Sequence, residues 1–169
     1  MPRALLFLAI AACAAPQQQE ISVPTPVRLV EPGECTKDAG AACYQKGRSL
    51  LESRKPEWAQ ASMEYIDRAC AAGTDQACDL ADLAFKGPVR ISGRAVRTTS
   101  EVRQQHRSGT VAVRCVLNTE GTLRDCVVLQ SVPGMDPEVL DAIGTRRYQP
   151  ATWGGNPVEV PFDVQIEVK

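Results

Sequence analysis

The sequence predicts an α+β protein in which a disulfide-stapled helical segment precedes a small β-β-α-β domain. Three observations support this fold class. Two cysteine pairs of equal spacing, "CTKDAGAAC" and "CAAGTDQAC", recur 35 residues apart beside helical periodicity. The stretch "GTVAVRCVLNTEGTLRDCVVLQS" has the two apolar runs and central turn of a β-hairpin. The last run, "VEVPFDVQIEV", alternates apolar and polar residues as a half-buried strand does.

The N-terminus has the pattern of a bacterial lipoprotein signal. "MPRALLFLAIAACAAP" carries a basic residue, Arg3, then a short apolar run and small residues. The run is too short to cross a membrane as a helix, which needs about 20 apolar residues. "IAAC" resembles the lipobox, so we predict a signal peptide over residues 1–12 and lipidation of Cys13. The alternative is ordinary secretion, with cleavage between Ala9 and Ala15.

The cysteine count agrees with export to an oxidising compartment. The chain has seven cysteines, and acylation of Cys13 would leave six to form disulfides. Zinc sites favour cysteines two to four residues apart, which these are not. Local pairing is therefore expected, joining Cys35 with Cys43, Cys70 with Cys78, and Cys115 with Cys126.

Composition limits the function only weakly. The 169 residues include 19 basic and 20 acidic side chains, so nothing global favours nucleic acid. Residues 13–34 are rich in Pro and Gln and are predicted to be a flexible, partly extended tether. The stretch from Arg90 to Arg107 carries five arginines and is interpreted as a solvated interdomain segment. The alternative is a patch for anionic headgroups or a partner.

Residues 35–87 are predicted to form helical pairs. In "EWAQASMEYIDRACAAG" apolar residues with i, i+3 and i+4 spacing define one helical face: Trp58, Ala61, Tyr65, Ile66, Ala69 and Cys70. Thr74 or Asp75 can cap a second helix that ends at Gly87 and Pro88. The residues of this helix expected to face the first are Cys78, Ala81, Leu83, Ala84 and Phe85. The earlier copy, "CTKDAGAACYQKGRSLLES", is predicted to keep only the turn and the second helix.

This arrangement resembles the cysteine-rich, secreted kind of Sel1-like repeat. The resemblance covers Cys35 to Gly87, about one and a half repeats, and implies helix pairs with a bridge across each turn. Such repeats are interaction scaffolds. With so few repeats, a small helical hairpin that only packs on the next domain is an equally good interpretation.

The sequence also predicts which residues of the following β-hairpin lie opposite each other. By the period of two, one strand face carries Val111, Val113, Cys115 and Leu117. A two-residue turn at Glu120-Gly121 would pair Thr119 with Thr122 and place Cys115 opposite Cys126. A change of phase between Leu123 and Cys126 indicates a β-bulge.

A helix and a last strand complete the predicted domain. Asp136 is expected as its N-cap and Pro137 as its first residue. Val139, Leu140 and Ile143 should form its buried face. In the last strand Pro161 cannot donate to a ladder, so that strand should have an open side.

The pattern from Gly109 to Val168 resembles the C-terminal domain of the TonB energy transducers. The family motif, an aromatic residue, x, Pro-Ala, a turn and Gly-x-Pro-Val, is matched by Tyr148, Pro150, Ala151, Gly155, Pro157 and Val158. The resemblance implies a domain over residues 88–169 in the periplasm that grips an extended segment of an outer-membrane transporter against its last strand. The expected contact residues are Val160, Phe162, Asp163, Val164, Gln165 and Ile166. The acidic outward residues suggest a basic partner segment.

Two departures from TonB itself argue against energy coupling. TonB starts with an uncleaved transmembrane helix and has a long Pro-Lys or Pro-Glu spacer, whereas this sequence shows a short signal and a tether of about 20 residues. The prediction is therefore a lipoprotein at the periplasmic face of the envelope. Ala14, after the lipidation site, favours the outer over the inner membrane.

No catalytic constellation is recognisable in the sequence. His106 is the single histidine and has no nucleophile motif near it. Patterns such as G-x-S-x-G, H-E-x-x-H and G-x-G-x-x-G are absent. We therefore predict a binding protein that is not an enzyme and uses no cofactor or metal. The alternative functions are a structural lipoprotein that scaffolds an envelope complex and, with less support, a hydrolase built on the helical segment.

Overall fold

The computed structural model describes Cys35 and residues 39–169. The predicted signal peptide, the predicted lipidation site Cys13 and the predicted tether over 13–34 lie outside the described residues. The first described part is helical, with α1 at Gly40–Glu52, α2 at Ala59–Ala71 and α3 at Asp75–Ala84. No helix within the described part of the chain is long and apolar enough to span a membrane.

The helices pack through part of the predicted face, since Tyr65, Ile66 and Ala69 of α2 are buried as expected, but its two ends differ. Trp58 lies in a short 3-10 turn before α2 and is 41% exposed, while Ser62 and Met63 are buried in its place. In α3 the contact face is Ala77 with Leu80, Ala81 and Ala84, of which Ala81 and Ala84 are predicted. Leu83 lies off this stripe and is 80% exposed, so its predicted burial is wrong.

The second predicted helix also ends earlier than expected. It stops at Ala84, and Phe85 has extended backbone angles instead of helical ones. Phe85 and Lys86 form the short strand β1, which pairs antiparallel with Trp153 and Thr152. The cause is tertiary, because pairing of Phe85 with Trp153, which is distant in sequence, competes with helix propagation.

The C-terminal part contains a three-stranded antiparallel sheet, two helices and several short strands. Its elements are β2 at Val89–Ser92, α4 at Ser100–Gln104, β3 at Gly109–Leu117, β4 at Leu123–Gln130, α5 at Asp136–Gly144, β5 at Arg147–Gln149, β6 at Thr152–Trp153, β7 at Asn156–Pro157 and β8 at Val160–Val168. The main sheet has the strand order β4-β3-β8, and the small strands pair as β2 with β5 and as β1-β6-β7.

The hairpin β3-β4 corrects one register prediction and bears out another. Thr119 does not pair with Thr122, because Gly121 has φ +78 and closes a three-residue loop, leaving Leu117 opposite Leu123. Asp125, with φ +51, then adds an extra residue on β4 where the sequence indicates a bulge. This restores the predicted register, and Cys115 and Cys126 are bridged.

Helix α5 begins one residue earlier than expected, and it buries Val139 and Ile143 as predicted but not Leu140. Its N-cap position is Met135, and Asp136 is the first helical residue, whose carboxylate accepts a hydrogen bond from Ser131 Oγ at 2.7 Å. The buried face is Val139, Ala142 and Ile143. Leu140 is 37% exposed, because it lies about 100° around the helix from Val139.

The arginine-rich stretch is largely exposed, as predicted for a solvated segment, but it is docked on the domain instead of forming a free linker. Strand β2 pairs with β5, and Val102 of α4 is fully buried under the sheet. Arg94 forms ion pairs with Glu138 at 2.6 Å and with Asp141 at 2.5 Å. The hydrogen bond from Arg94 to the Glu138 carboxylate, with one from the Arg97 N–H, lowers the pKa of Glu138.

The helical segment and the C-terminal domain share one hydrophobic core. Trp153 is fully buried among the helices, and its Nε1–H donates to Ser62 Oγ at 2.9 Å. Ser62 Oγ in turn donates to the Gly47 carbonyl at 2.8 Å, which joins α1, α2 and β6 through buried polar groups. A second core beneath the sheet contains Val111, Val113, Cys115, Val139 and Ile143. The segments 35–87 and 88–169 are therefore packed together.

Candidate functional site

Strand β8 forms an edge of the main sheet. It pairs with β3 over its whole length, from Leu117 opposite Val160 to Gly109 opposite Val168. Within residues 39–169, no strand pairs with its other side. Its side chains alternate as the sequence predicts, with Val160 and Val164 buried, Phe162 and Ile166 half-buried, and Asp163 and Gln165 exposed. All six predicted contact residues thus lie along one open edge.

The residue just before β8 shows which backbone groups face this edge. The Glu159 N–H donates to Gln60 Oε1 at 2.9 Å, and Gln60 Nε2 donates to the Glu159 carbonyl at 3.3 Å. Gln60 belongs to α2, not to β3, so its side-chain amide occupies the free side of the strand. Backbone groups of successive residues point to opposite edges. The open edge therefore presents Pro161, Asp163, Gln165 and Glu167.

Proline is tolerated in β8 for the same reason. Pro161 lacks an N–H, and because its nitrogen faces the open edge, the ladder with β3 loses no hydrogen bond. The N–H groups that this edge offers to an added strand are those of Asp163, Gln165 and Glu167. An added strand would therefore pair along the second half of β8 and stop near Pro161.

The outward acidic residues of this region are already paired with cations. Arg114 donates to both Asp163 carboxylate oxygens at 2.6 Å, and these hydrogen bonds lower the pKa of Asp163. Lys169 lies 3.1 Å from Glu167, and Arg124 lies 2.9 Å from Glu159. Arg124 also contacts Asp125. These carboxylates do not form a free negative surface, so they no longer support the expectation of a basic partner strand.

The residues of the family motif build the corner that leads into β8. The two motif residues Ala151 and Val158 are fully buried, and the Val158 N–H donates to the Ala151 carbonyl at 3.0 Å. Gly155 has φ +88 in the turn between β6 and β7, and Pro157 lies in β7. Pro150 is half-buried and directly follows β5. The motif therefore holds the start of β8 in place and is not a contact surface.

Tyr148 connects this corner to the hairpin and to β8. Its ring meets that of Phe162 edge to face, with centroids 5.0 Å apart. Its N–H donates to the Gly121 carbonyl at 2.9 Å. A Cβ on Gly121 would lie 1.9 Å from the Tyr148 carbonyl oxygen, so the hairpin turn can approach only as glycine.

A groove of about 410 Å³ lies beside the start of β8, between the strand and the helices. Its lining residues come from α2, α3, β1, β6 and β8: Met63, Asp67, Ala81, Asp82, Phe85, Trp153, Val160 and Pro161. Gln60, Met63 and Asp67 share one face of α2 by their i, i+3 and i+7 spacing. Sequence analysis did not place Gln60, Asp67 or Asp82 near β8, since only the folded chain brings α2 and α3 to this edge.

The remaining predicted features are the six described cysteines and His106. All six described cysteines are bridged in the three predicted pairs. His106 is exposed at the end of α4 with φ +49. Within the part of the chain that the structure describes, no group of three or more His, Cys, Asp or Glu could hold a metal ion.

Comparison with known proteins agrees with the resemblance seen in the sequence. Residues 100–168 match the family model for the C-terminal part of the Gram-negative bacterial TonB protein, from α4 through β8. The solution NMR structure of the Pseudomonas aeruginosa TonB C-terminal domain is similar at 23% identity and a TM-score of 0.43. That similarity covers 50% of this chain and 87% of the other. No curated protein matches the chain. The helices α1 to α3 and strands β1 and β2 precede the matched residues.

Proposed function

We propose that this protein is an envelope lipoprotein that binds an extended segment of another envelope protein by adding it as a strand to β8. The observation that carries the proposal is the open edge of β8 within the described residues. The family match over residues 100–168 supports a role in protein binding at the envelope, with an outer-membrane transporter as the candidate partner. No coupling of energy is part of the proposal.

In this mode of binding, backbone hydrogen bonds would provide affinity and side-chain contacts would provide specificity. The edge N–H groups of Asp163, Gln165 and Glu167 can each pair with the added strand, at about 0.5–1.5 kcal/mol net per bond. Phe162 and Ile166 point toward the core yet remain half-buried, because the sheet ends at β8. Apolar residues at alternate positions of the partner would cover them, so the expected partner segment alternates apolar and polar residues.

The anchor and the domain organisation are part of the same proposal. Lipid on Cys13 and the tether over 13–34 would hold the segments 35–87 and 88–169 at the periplasmic face, with the outer membrane favoured. The three disulfides support an oxidising compartment. Mature protein should carry lipid on Cys13, and Cys13→Ser protein should be released as soluble protein. An intact mass that begins at Ala14, Ala15 or Pro16 would contradict lipidation.

Crosslinking in intact cells tests the binding edge. A photoreactive amino acid at the exposed position Gln165 should crosslink to an envelope protein, and outer-membrane transporters should be enriched among the products. The same group at Asp141, whose exposed side chain lies on α5, should give no such product. Equal products from the two positions would contradict the proposal.

A proline substitution tests whether the backbone of the edge makes the contact. Gln165→Pro removes an N–H that faces the open edge, as Pro161 already does, so the sheet should remain folded. Crosslinking from position 163 should then fall at least about tenfold, the loss expected for about one to two backbone bonds and the steric effect of the ring. Val164→Pro, which removes a bond to β3, should instead destabilise the fold. Unchanged crosslinking in Gln165→Pro would exclude strand addition.

The alternative function, a structural lipoprotein that scaffolds an envelope complex, is favoured by one observation. Leu83 is 80% exposed on α3, beside a surface depression whose lining includes Leu51, Leu80 and Gly154. A rigid scaffold could use this surface because α3 is packed into the shared core. Crosslinks from position 83, with none from position 165, would support this function over strand addition.

A further inference from the structure

The structure limits where a strand added to β8 can run. At Glu159 the free edge is occupied by Gln60 of α2, and at Pro161 there is no N–H to bond. A partner chain that pairs with Asp163, Gln165 and Glu167 must therefore leave the edge at Pro161. At that point it meets the groove, which Val160 and Pro161 line on the strand side.

The groove combines apolar walls with two carboxylates. Met63, Phe85 and Val160 provide apolar surface, while Asp67 and Asp82 contribute carboxylates from the two helices. A long cationic side chain fits this combination, because its methylene stem packs on apolar surface while its charged end stays at the solvent rim. The 410 Å³ of the groove accommodates one such side chain with its flanking backbone.

The carboxylates of Asp67 and Asp82 differ from those along β8 in being free to pair with a cation of a partner. Among the residues that the structure describes, neither Asp67 nor Asp82 forms an ion pair. Asp67 is exposed at the rim, yet partial desolvation on its protein side, together with the charge of Glu64, raises its pKa. Its charged form is thus poorly compensated in the free protein, and a cation from a partner would compensate it.

We propose that the groove formed by α2, α3 and the start of β8 receives a lysine or arginine side chain of the partner, located just beyond the segment that adds to β8. This inference rests on the proposed strand addition and specifies the partner further. The recognised segment alternates apolar and polar residues and carries a basic residue at the end that lies near Pro161. A glutamate at that position would be repelled by Asp67 and Asp82.

Selection from a random peptide library tests this proposal separately from strand addition. Oxidised, full-length Cys13→Ser protein is used to select from displayed twelve-residue peptides, and bound peptides are mapped by backbone amide shifts. We expect alternating sequences with Lys or Arg enriched at one end, and shifts that cover β8 and the groove. Replacing the basic residue of a selected peptide by norleucine should weaken binding about fivefold, as for about one or two partly exposed ion pairs.

Protein variants identify the carboxylates responsible. The double variant Asp67→Asn/Asp82→Asn should select the same alternating pattern without basic enrichment, and the fivefold effect of norleucine should fall below about twofold. Asp79→Asn is the matched control, since it removes an exposed charge from α3 outside the groove and should change neither result. Alternating peptides without basic enrichment, bound at β8, would overturn this inference and leave the proposed function standing. Selected peptides that shift no β8 amide would overturn both.

Discussion

The buried hydrogen bonds between Trp153 and the helices allow a quantitative test of the shared core. Ser62→Ala removes the acceptor of the Trp153 Nε1–H and the donor to the Gly47 carbonyl, both in a site with no solvent exposure. A buried donor left unpaired costs about 1–3 kcal/mol. At about 4 °C per kcal/mol for a chain of this size, Tm should fall by roughly 4–12 °C.

A double-mutant cycle isolates the contact itself. Trp153→Phe has no indole N–H that could be left without an acceptor. In this background Ser62→Ala should therefore reduce the free energy of unfolding by less, with a coupling energy between the two residues of about 0.5–1.5 kcal/mol. Urea unfolding under non-reducing conditions measures each free energy, followed by helix circular dichroism and by fluorescence. Ser108→Ala, at an exposed serine, should stay within about 0.5 kcal/mol of the parent.

The result that would refute this reasoning is specific. If the helical segment and the C-terminal domain were independent, circular dichroism and fluorescence would show separate transitions, and Ser62→Ala would shift only the first. A free energy of unfolding unchanged by Ser62→Ala would equally show that the indole of Trp153 does not depend on α2. We expect one coincident transition, shifted as a whole.

Three further predictions concern stability. Gly121→Ala should lower the free energy of unfolding by about 2–4 kcal/mol, because its Cβ would lie 1.9 Å from the Tyr148 carbonyl oxygen. Gly155 also has positive φ but open space for a Cβ, so Gly155→Ala should cost only about 1 kcal/mol in the same urea unfolding assay. Arg114 and Arg94 lower the pKa of Asp163 and Glu138 in the folded state, so these ion pairs contribute stability above the usual carboxyl pKa of about 4 and lose it as pH falls through the lowered values. Asp163→Asn and Glu138→Gln should therefore make the free energy of unfolding less dependent on pH below about 4. The same pH dependence in these variants as in the parent would contradict this. Cys70→Ala/Cys78→Ala opens a bridge of sequence separation 8 and should cost about 2.5 kcal/mol in urea unfolding, with a change below about 1 kcal/mol counting against the bridge.

Local periodicity was enough to determine much of this protein. The strict alternation of β8, the core-facing residues of β3 and the bulge near Asp125 follow from a period of two that the neighbouring residues themselves define. The three cysteine pairs are close in sequence, so each bridge needs only a turn or a hairpin to form. The bridged cysteines are at most 11 positions apart, and the bulge lies within the same hairpin as the third bridge.

Tertiary structure decided which faces are buried and where the candidate site lies. Leu83 and Leu140 have the hydrophobicity of core residues, but the partners that could cover them pack against alanine-containing faces instead. The hydrogen bonds of Trp153 with Ser62 and of Gln60 with Glu159 join residues 91 and 99 positions apart. No local pattern encodes such a pairing, because periodicity reports that a face is buried and not which surface covers it. The edge of β8 stays open because the sheet ends there, and the groove at its start exists only because α2 and α3 pack against that part of the strand.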